Sequence, residues 1–276
     1  MEYLILSSLF FAFNNVLWKW VVEDYLPLQV IVKRSMITSI IGISVLVLFR
    51  ESFIFYPTLS ELLFVNLTCI IGAFGLVFMI YALKESTLNN FIHYSLLGSI
   101  GTASYLYFIE NIIPQNFVLG ILFIVMGFCV FLWNQRHNSK VIQFSTHRYL
   151  VLMTLCFSVS GIMQWYNLKT YDVVFLMVHQ EIEVLIIAGI TIRYLKQPTL
   201  SFFKRDYVLL MAPVVVVAIV AGMHGLKMTN PFISSITSLT TPILTMVLAV
   251  LLLKEHFKWY YVSSMTLVIF GVWMLS

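Results

Sequence analysis

Charge is scarce in this chain. Of 276 residues, 16 are Lys or Arg and 12 are Asp or Glu, about 10% in all, whereas 61% are hydrophobic. A soluble domain of this length must present a polar exterior to water, and this composition does not supply one. The net charge of +4 is small and sits mainly in short polar breaks. That distribution offers no basic face for nucleic acid. Cysteine is nearly absent too. Cys69, Cys129 and Cys156 each lie inside an apolar run, without a near partner or metal-type spacing. They read as small core residues rather than a disulfide framework or a metal site. Catalytic signatures are also missing. Gly98-Ser99-Ile100-Gly101 is not a Gly-x-Ser-x-Gly turn, no His-Glu-x-x-His pair occurs, and no Gly-rich loop is placed to cradle phosphate. These absences argue against an enzyme, a cofactor or a metal centre. Met1-Glu2-Tyr3 lacks a basic n-region and no small-residue cleavage site follows, so the first apolar run is expected to be a retained helix rather than a signal peptide.

What the chain does have is a succession of apolar runs. A bilayer core about 30 Å thick is crossed by roughly 20 helical residues. Runs of that length are expected over Tyr3–Val22, Leu28–Phe49, Leu59–Leu83, Leu88–Ile109, Ile112–Trp133, Tyr149–Leu168, Val173–Ile192, Tyr207–Leu226, Pro231–Leu253 and Phe257–Leu275. Polar clusters and prolines separate them. The fold class is therefore all-α integral membrane, with ten transmembrane helices.

The last two runs form a unit: Thr241-Pro242, an apolar run to Leu253, Lys254-Glu255, and a second run closing on Gly271-Val272-Trp273. A fainter copy lies about 145 residues upstream, with Glu110 at the hairpin and Gly127 before Trp133. The lead-ins match as well, Ala82-Leu83-Lys84 and Gly225-Leu226-Lys227. The chain divides accordingly into a first five-helix repeat at 1–134, a linker at 135–148 and a second repeat at 149–276. An odd number of spans per repeat inverts the second copy relative to the first, the geometry of alternating access. Breaks after odd-numbered spans, with the end of the first span, carry eleven Lys or Arg residues against three after even-numbered spans. The bias places the odd breaks in the cytoplasm and both termini outside, in the plasma (inner) membrane.

On these residues the chain resembles the drug/metabolite transporter superfamily, in its ten-helix, EamA-like branch. The resemblance rests on the doubled Ala/Gly-Leu-Lys lead-ins, the Thr241-Pro242 entry, the Leu253-Lys254-Glu255 turn, the Gly271-Val272-Trp273 close, and Arg34 seven residues after Pro27. It implies a transporter, with export favoured. Two departures stand out. The fourth span has no proline opposite Pro242, whose counterpart is near Leu97-Gly98. Phe10–Asn15 carries no carboxylate, so the membrane glutamate that couples protons in the family's four-helix relatives has no equivalent here.

A charge at bilayer depth costs at least ~2.5–3.5 kcal/mol, so embedded charges need a reason. They are Lys33 and Arg34 in the second run and Glu181 and Glu183 in the seventh, with His179 beside them. Arg34 is roughly 10 Å from one face and Glu183 roughly 16 Å from the other, levels that long side chains connect. Arg34 is expected to face Glu183 or Glu181. His179 and Glu183 are four apart and share a helix face, whereas Glu181 lies about 200° from His179, so the face of His179 and Glu183 is expected to line the cavity. Glu183 would there exchange a proton or hold a cationic substrate. The competing reading is a buried ion pair that only fixes helix packing.

Further cavity candidates are Asn14, Asn15 and Trp18 in the first run, with Gln164 and Trp165 in the corresponding place of the sixth. Tyr81, His93 and His224 complete the set; packing roles compete for each. Pro231 and Pro242 are expected to gate or hinge the ninth run, helped by Gly222 and Gly225. The expected function is secondary transport of a small organic metabolite or amphipathic compound by alternating access, with protons as a candidate coupling ion and the lipid bilayer as the medium. A lipid-linked sugar flippase, a membrane scaffold and an intramembrane enzyme are the alternatives. Nothing in the sequence sets an oligomeric state.

Overall fold

In hydrocarbon no water satisfies backbone N–H and C=O groups, so apolar runs must close their own hydrogen bonds as helices. The structure is a computed structural model that describes residues 2–48, 58–86, 88–109, 116–138, 144–198, 207–229, 231–238, 240–255 and 259–275. Among these residues there are helices and no strands. They are α1 (Glu2–Asp24), α2 (Pro27–Leu48), α3 (Leu59–Glu85), α4 (Leu88–Leu96), α5 (Gly98–Phe108), α6 (Phe117–Asn138), α7 (Phe144–Thr170), α8 (Val173–Tyr194), α9 (Tyr207–Met228), α10 (Pro231–Ser238), α11 (Thr240–Leu252) and α12 (Trp259–Leu275). Seven of them, α1, α2, α3, α6, α7, α8 and α9, are long and apolar enough to cross a membrane. The all-helical membrane architecture is as expected from composition. Glu110 and the loop cations Arg50, Lys140, Lys204, Arg205 and Lys258 lie outside the described residues.

Local chemistry sets the helix ends. Thr58 and Glu61 form a capping box at the start of α3, and Asp172 accepts the Val174 N–H at the start of α8. Lys254 adopts φ 53° after α11. The turn it makes lets the Glu255 N–H reach back to Ala249 O at 3.2 Å, a left-handed helix stop. Two expectations are corrected. The run Leu88–Ile109 is not one helix: at Leu97 the N–H bonds Tyr94 O, three residues back, and the chain restarts as α5. That turn falls where the counterpart of Pro242 was expected. At the two ends of the segment 135–148, α6 runs on to Asn138 and α7 begins at Phe144, where Thr146 is buried and bonds Glu85. Cys129 is exposed on the outside of the bundle rather than in its core.

The helices pair face to face: α1 on α9, α3 on α7, α2 on α8, and α6 on α12. Glycine permits two of these approaches. A Cβ at Gly225 would sit 2.5 Å from the Leu4 side chain on α1, and one at Gly271 would sit 2.6 Å from Gly120 O on α6. The shared core includes Trp18, Leu28, Ile31, Ile80, Leu83, Leu88 and Phe131, all fully buried. Large apolar side chains such as Ile40, Leu63, Ile190, Leu251 and Trp273 are exposed on the outside, which is the surface a bilayer covers.

Candidate functional site

Between the helices lies a cavity of about 500 Å³. Its walls come from α1, α2, α3, α4, α7, α8, α9, α10 and α11; α6 and α12 pack together away from it. The wall is mostly apolar, with Phe11, Leu76, Met79, Phe91 and Phe157, and a set of short polar side chains interrupts it: Ser7, Ser8, Thr68, Ser95, Ser160 and Ser234. The size suits a small organic molecule, and an apolar pocket with a few placed polar groups is the usual form of a ligand site.

The charged centre of the cavity is an ion pair. Arg34 Nη2 on α2 donates to Glu181 Oε2 at 2.7 Å and Oε1 at 3.0 Å on α8, and contacts Ser35 Oγ at 3.0 Å. Both side chains are almost wholly buried, 3% and 1% exposed. Arg34 thus meets one of its two expected acids, and the expected cavity face of α8 is corrected. Glu181, not Glu183, faces Arg34, because α8 turns the stripe Met177, Glu181, Val184 and Ala188 inward and leaves Ile186 and Ile190 exposed. Glu183 lies on the latter side and is half-buried. His179 is held there too, its Nε2 at 2.6 Å from Asn66 Oδ1 on α3. Neither His179 nor Glu183 lines the cavity.

The other candidates divide. Asn14, Asn15, Trp18, Gln164 and Pro242 line the cavity with Arg34. Asn15 Nδ2 reaches Thr245 Oγ1 at 3.4 Å, and the Arg34 guanidinium lies 5.6 Å from the Trp18 ring. Gln164 Nε2 lies 3.6 Å from Met223 Sδ. Trp18 Nε1, Asn14 Oδ1 and Arg34 Nε are buried without a partner among the described residues. The remaining candidates are elsewhere. Tyr81 packs on Tyr149, His93 stacks on Phe131 at 4.1 Å, Trp165 receives Lys169 Nζ at 3.8 Å, and His224 meets the Tyr3 ring at 4.6 Å. Pro231 lines a smaller neighbouring cavity of about 250 Å³. Each of these rings is occupied by an aromatic or cationic neighbour, a packing role that sequence periodicity does not distinguish from a cavity role.

The two ends of the cavity differ. Its lining reaches Leu4 near the start of α1, Leu226 near the end of α9 and Ser234 on α10. At the opposite end, past Trp18, the chain is packed and latched. Lys19 Nζ donates to Leu83 O at 3.0 Å and Ser86 O at 2.9 Å, and also pairs with Glu23 at 3.4 Å. The Leu88 N–H at the start of α4 donates to Glu255 Oε1 at 2.9 Å, so Glu255 acts as a cap. Thr146 Oγ1 donates to Glu85 Oε2 at 2.7 Å, and Tyr94 hydrogen-bonds His147. Sequence reading did not single out Lys19 or Glu85 for this end; the signal was their place beside the breaks at 23–27 and 84–88.

Comparison with known proteins adds the family. Residues 145–276 match the model of the EamA-like transporter family. That segment, a little under half of the chain, is similar to an EamA-like transporter domain. The resemblance to the drug/metabolite transporter superfamily holds on that half, and the family is one of membrane transporters of small molecules. No curated protein matches the chain. A chain known from a crystal structure, described only as a protein, superposes with a TM-score of 0.68 at 14% identity, covering 96% of this chain and 94% of that one. At that identity the likeness is one of fold. In these terms the EamA-like half supplies Glu181, Gln164 and Pro242 to the cavity, and the preceding half supplies Arg34, Trp18 and the two asparagines. The ion pair joins the halves at the cavity wall.

Proposed function

We propose that this chain is a secondary transporter that moves a small organic or amphipathic compound across the plasma (inner) membrane by alternating access. The observation that carries the reading is a cavity between membrane-length apolar helices whose wall contains a buried Arg34–Glu181 pair, one partner from each half. Intramembrane ionisable groups facing a cavity mark substrate or ion pathways. The reading includes ten spans in two inverted repeats, 1–134 and 149–276, with α4 and α5 forming the fourth span and α10 and α11 the ninth. Helix pairing supports it. Exchanging each span with the one five places on turns the α1–α9 contact into α7–α3 and the α2–α9 contact into α8–α3, and returns α2–α8 and α6–α12 to themselves. A twofold exchange of that kind is what alternating access uses, because one state of each half becomes the other's.

Orientation follows from the Lys/Arg bias: the latched end is cytoplasmic and the cavity addresses the outside. Pro242 and the turn at Leu97 sit in exchanged spans and supply the bends. Glu181 is the candidate proton site. A lipid-linked sugar flippase would want several uncompensated cations for phosphate, whereas Arg34 is the one cation on the cavity wall among the described residues and Glu181 already neutralises it. The test uses the protein in sealed vesicles, in a background with the three cysteines replaced. Ser8→Cys should react with an impermeant maleimide added on the side of the N-terminus, and Val22→Cys should not. Substrate-screened flux should depend on the protein. Labelling of Val22→Cys alone, or a full compound screen without flux, would sink the proposal.

A further inference from the structure

Three facts about the cavity wall concern hydrogen bonding: two unmatched sets of donors and one unmatched acceptor. Arg34 carries five N–H groups, yet among the described residues its hydrogen bonds all leave from Nη2, and Nε has no partner. Trp18, fully buried beside it, has an Nε1–H without an acceptor. The Asn14 Oδ1 is unpartnered as well, and its amide turns to offer either a donor or an acceptor. Buried donors left unmatched cost free energy, so the site is incomplete until something supplies acceptor oxygens. A cation does not: it would meet the guanidinium and the Trp18 N–H, and its only counter-charge on the cavity wall among the described residues, Glu181, is already bound.

We infer that the ligand is an organic carboxylate with an apolar body, and that it binds by taking Arg34 from Glu181 while Glu181 takes up one proton. The inference rests on the transporter reading of the same cavity. The carboxylate accepts from Arg34 and from Trp18 Nε1, a charge-assisted arrangement. The body lies along Phe11, Leu76, Phe91 and Phe157. Once Arg34 is shared away, an ionised Glu181 would be a buried charge without a partner, which is far costlier than a neutral acid. The proton comes from water and goes to a Glu181 oxygen. The site begins as Arg⁺ with Glu⁻ and ends as Arg⁺, ligand carboxylate and neutral Glu, so its net charge stays zero and no covalent bond to carbon changes. Other charges near Glu181 are few. Arg34 faces it from α2, Cys69 from α3, and His179 and Glu183 share its helix. The stretches of α1 and α9 on the cavity wall, 4–18 and 215–226, hold one titratable group, His224, which is occupied by Tyr3.

The probes are phenylacetate, phenylacetamide and phenethylamine, which share a body and differ in the head. Titration calorimetry of the purified full chain, in two buffers of different protonation enthalpy, should show phenylacetate binding about tenfold or more tighter than the amide, the scale of a charge-assisted hydrogen bond. Close to one proton should be taken up per phenylacetate, and binding should weaken as pH rises. Glu181→Gln should keep phenylacetate binding and lose the proton uptake. Trp18→Phe, which keeps the ring and removes the donor, should weaken phenylacetate severalfold and leave the amine unchanged. Tighter binding of phenethylamine, equal binding of acid and amide, binding without proton uptake, or no binding of any probe overturns the inference. Sealed vesicles separate the two claims. Flux of the amine or the amide with no response to phenylacetate removes the carboxylate class and keeps the transporter. Proton-linked phenylacetate binding without flux does the reverse.

Discussion

The two faces of α8 carry the same chemistry in different settings. On one, Glu181 is 1% exposed and is held at 2.7 Å by Arg34 on the cavity wall. On the other, two residues on, Glu183 is half-buried beside exposed Ile186 and Ile190, and His179 is held by the neutral amide of Asn66. A carboxylate in both places would suggest equal standing. Packing phase decides otherwise. The face that meets other helices around the cavity must neutralise its charge with an opposite one, because desolvation there is nearly complete. The face toward α3 and the exterior keeps enough freedom that an amide suffices.

Removing each carboxylate tests this contrast most strongly. Glu181→Ala leaves Arg34 buried and unpaired, and should cost about 3–5 kcal/mol in stability, the typical penalty for breaking a buried pair. Thermal unfolding of the purified protein in detergent reads the difference; Glu183→Ala should stay near wild type. Equal losses would show that the two faces are not distinct. The contrast sharpens with a swap. Arg34→Glu together with Glu181→Arg should recover part of the loss, with a coupling of about 0.5–3 kcal/mol, whereas Arg34→Glu with Glu183→Arg should recover none. Recovery in the second pair instead of the first would reverse the assignment. A smaller effect belongs to the outer face. Asn66→Leu strips His179 of its acceptor and should cost about 1–3 kcal/mol without changing the affinity of any cavity ligand. A change in ligand affinity comparable to that of Trp18→Phe would place His179 in the site.

Much of the fold was legible because hydrocarbon is an unforgiving solvent. Runs such as Val173–Ile192 and Tyr207–Leu226 coincide with α8 and α9 to within a few residues, since length and polarity alone determine what crosses a bilayer. The turn at Leu97 was not legible from hydropathy: no proline or charge marks it, and it depends on one shortened hydrogen bond to Tyr94 O. The repeat comparison did point to that place, through Pro242. For the site, the cost of burying Arg34 demanded an acid, and depth reduced the choice to Glu181 and Glu183. The final step failed because it took His179 as the marker of the cavity face. The better marker was the small and β-branched pattern itself: Ala188 lies in phase with Glu181, and Ile186 and Ile190 lie in phase with Glu183. Small residues let helices meet, while bulky branched ones tolerate lipid. His93 and Tyr81 show the remaining limit. Their neighbours Phe131 and Tyr149 are distant in sequence, and ring stacking across helices leaves no local trace.

The smallest expected effect is the most discriminating for coupling. Glu183→Gln keeps the shape and polarity of the side chain and removes only its charge. Within the described residues Glu183 has no hydrogen-bonded cation, and it is only partly buried, so its charge contributes little to stability; the change should stay within about 0.5 kcal/mol. If proton exchange belongs to Glu181, the Glu183→Gln protein must also retain the full pH dependence of flux in sealed vesicles, because the group that titrates is untouched. Glu181→Gln must flatten that dependence. A pH profile flattened by Glu183→Gln and preserved in Glu181→Gln would move the coupling site to the outer face of α8 and leave the Arg34–Glu181 pair as a clamp that joins the two halves.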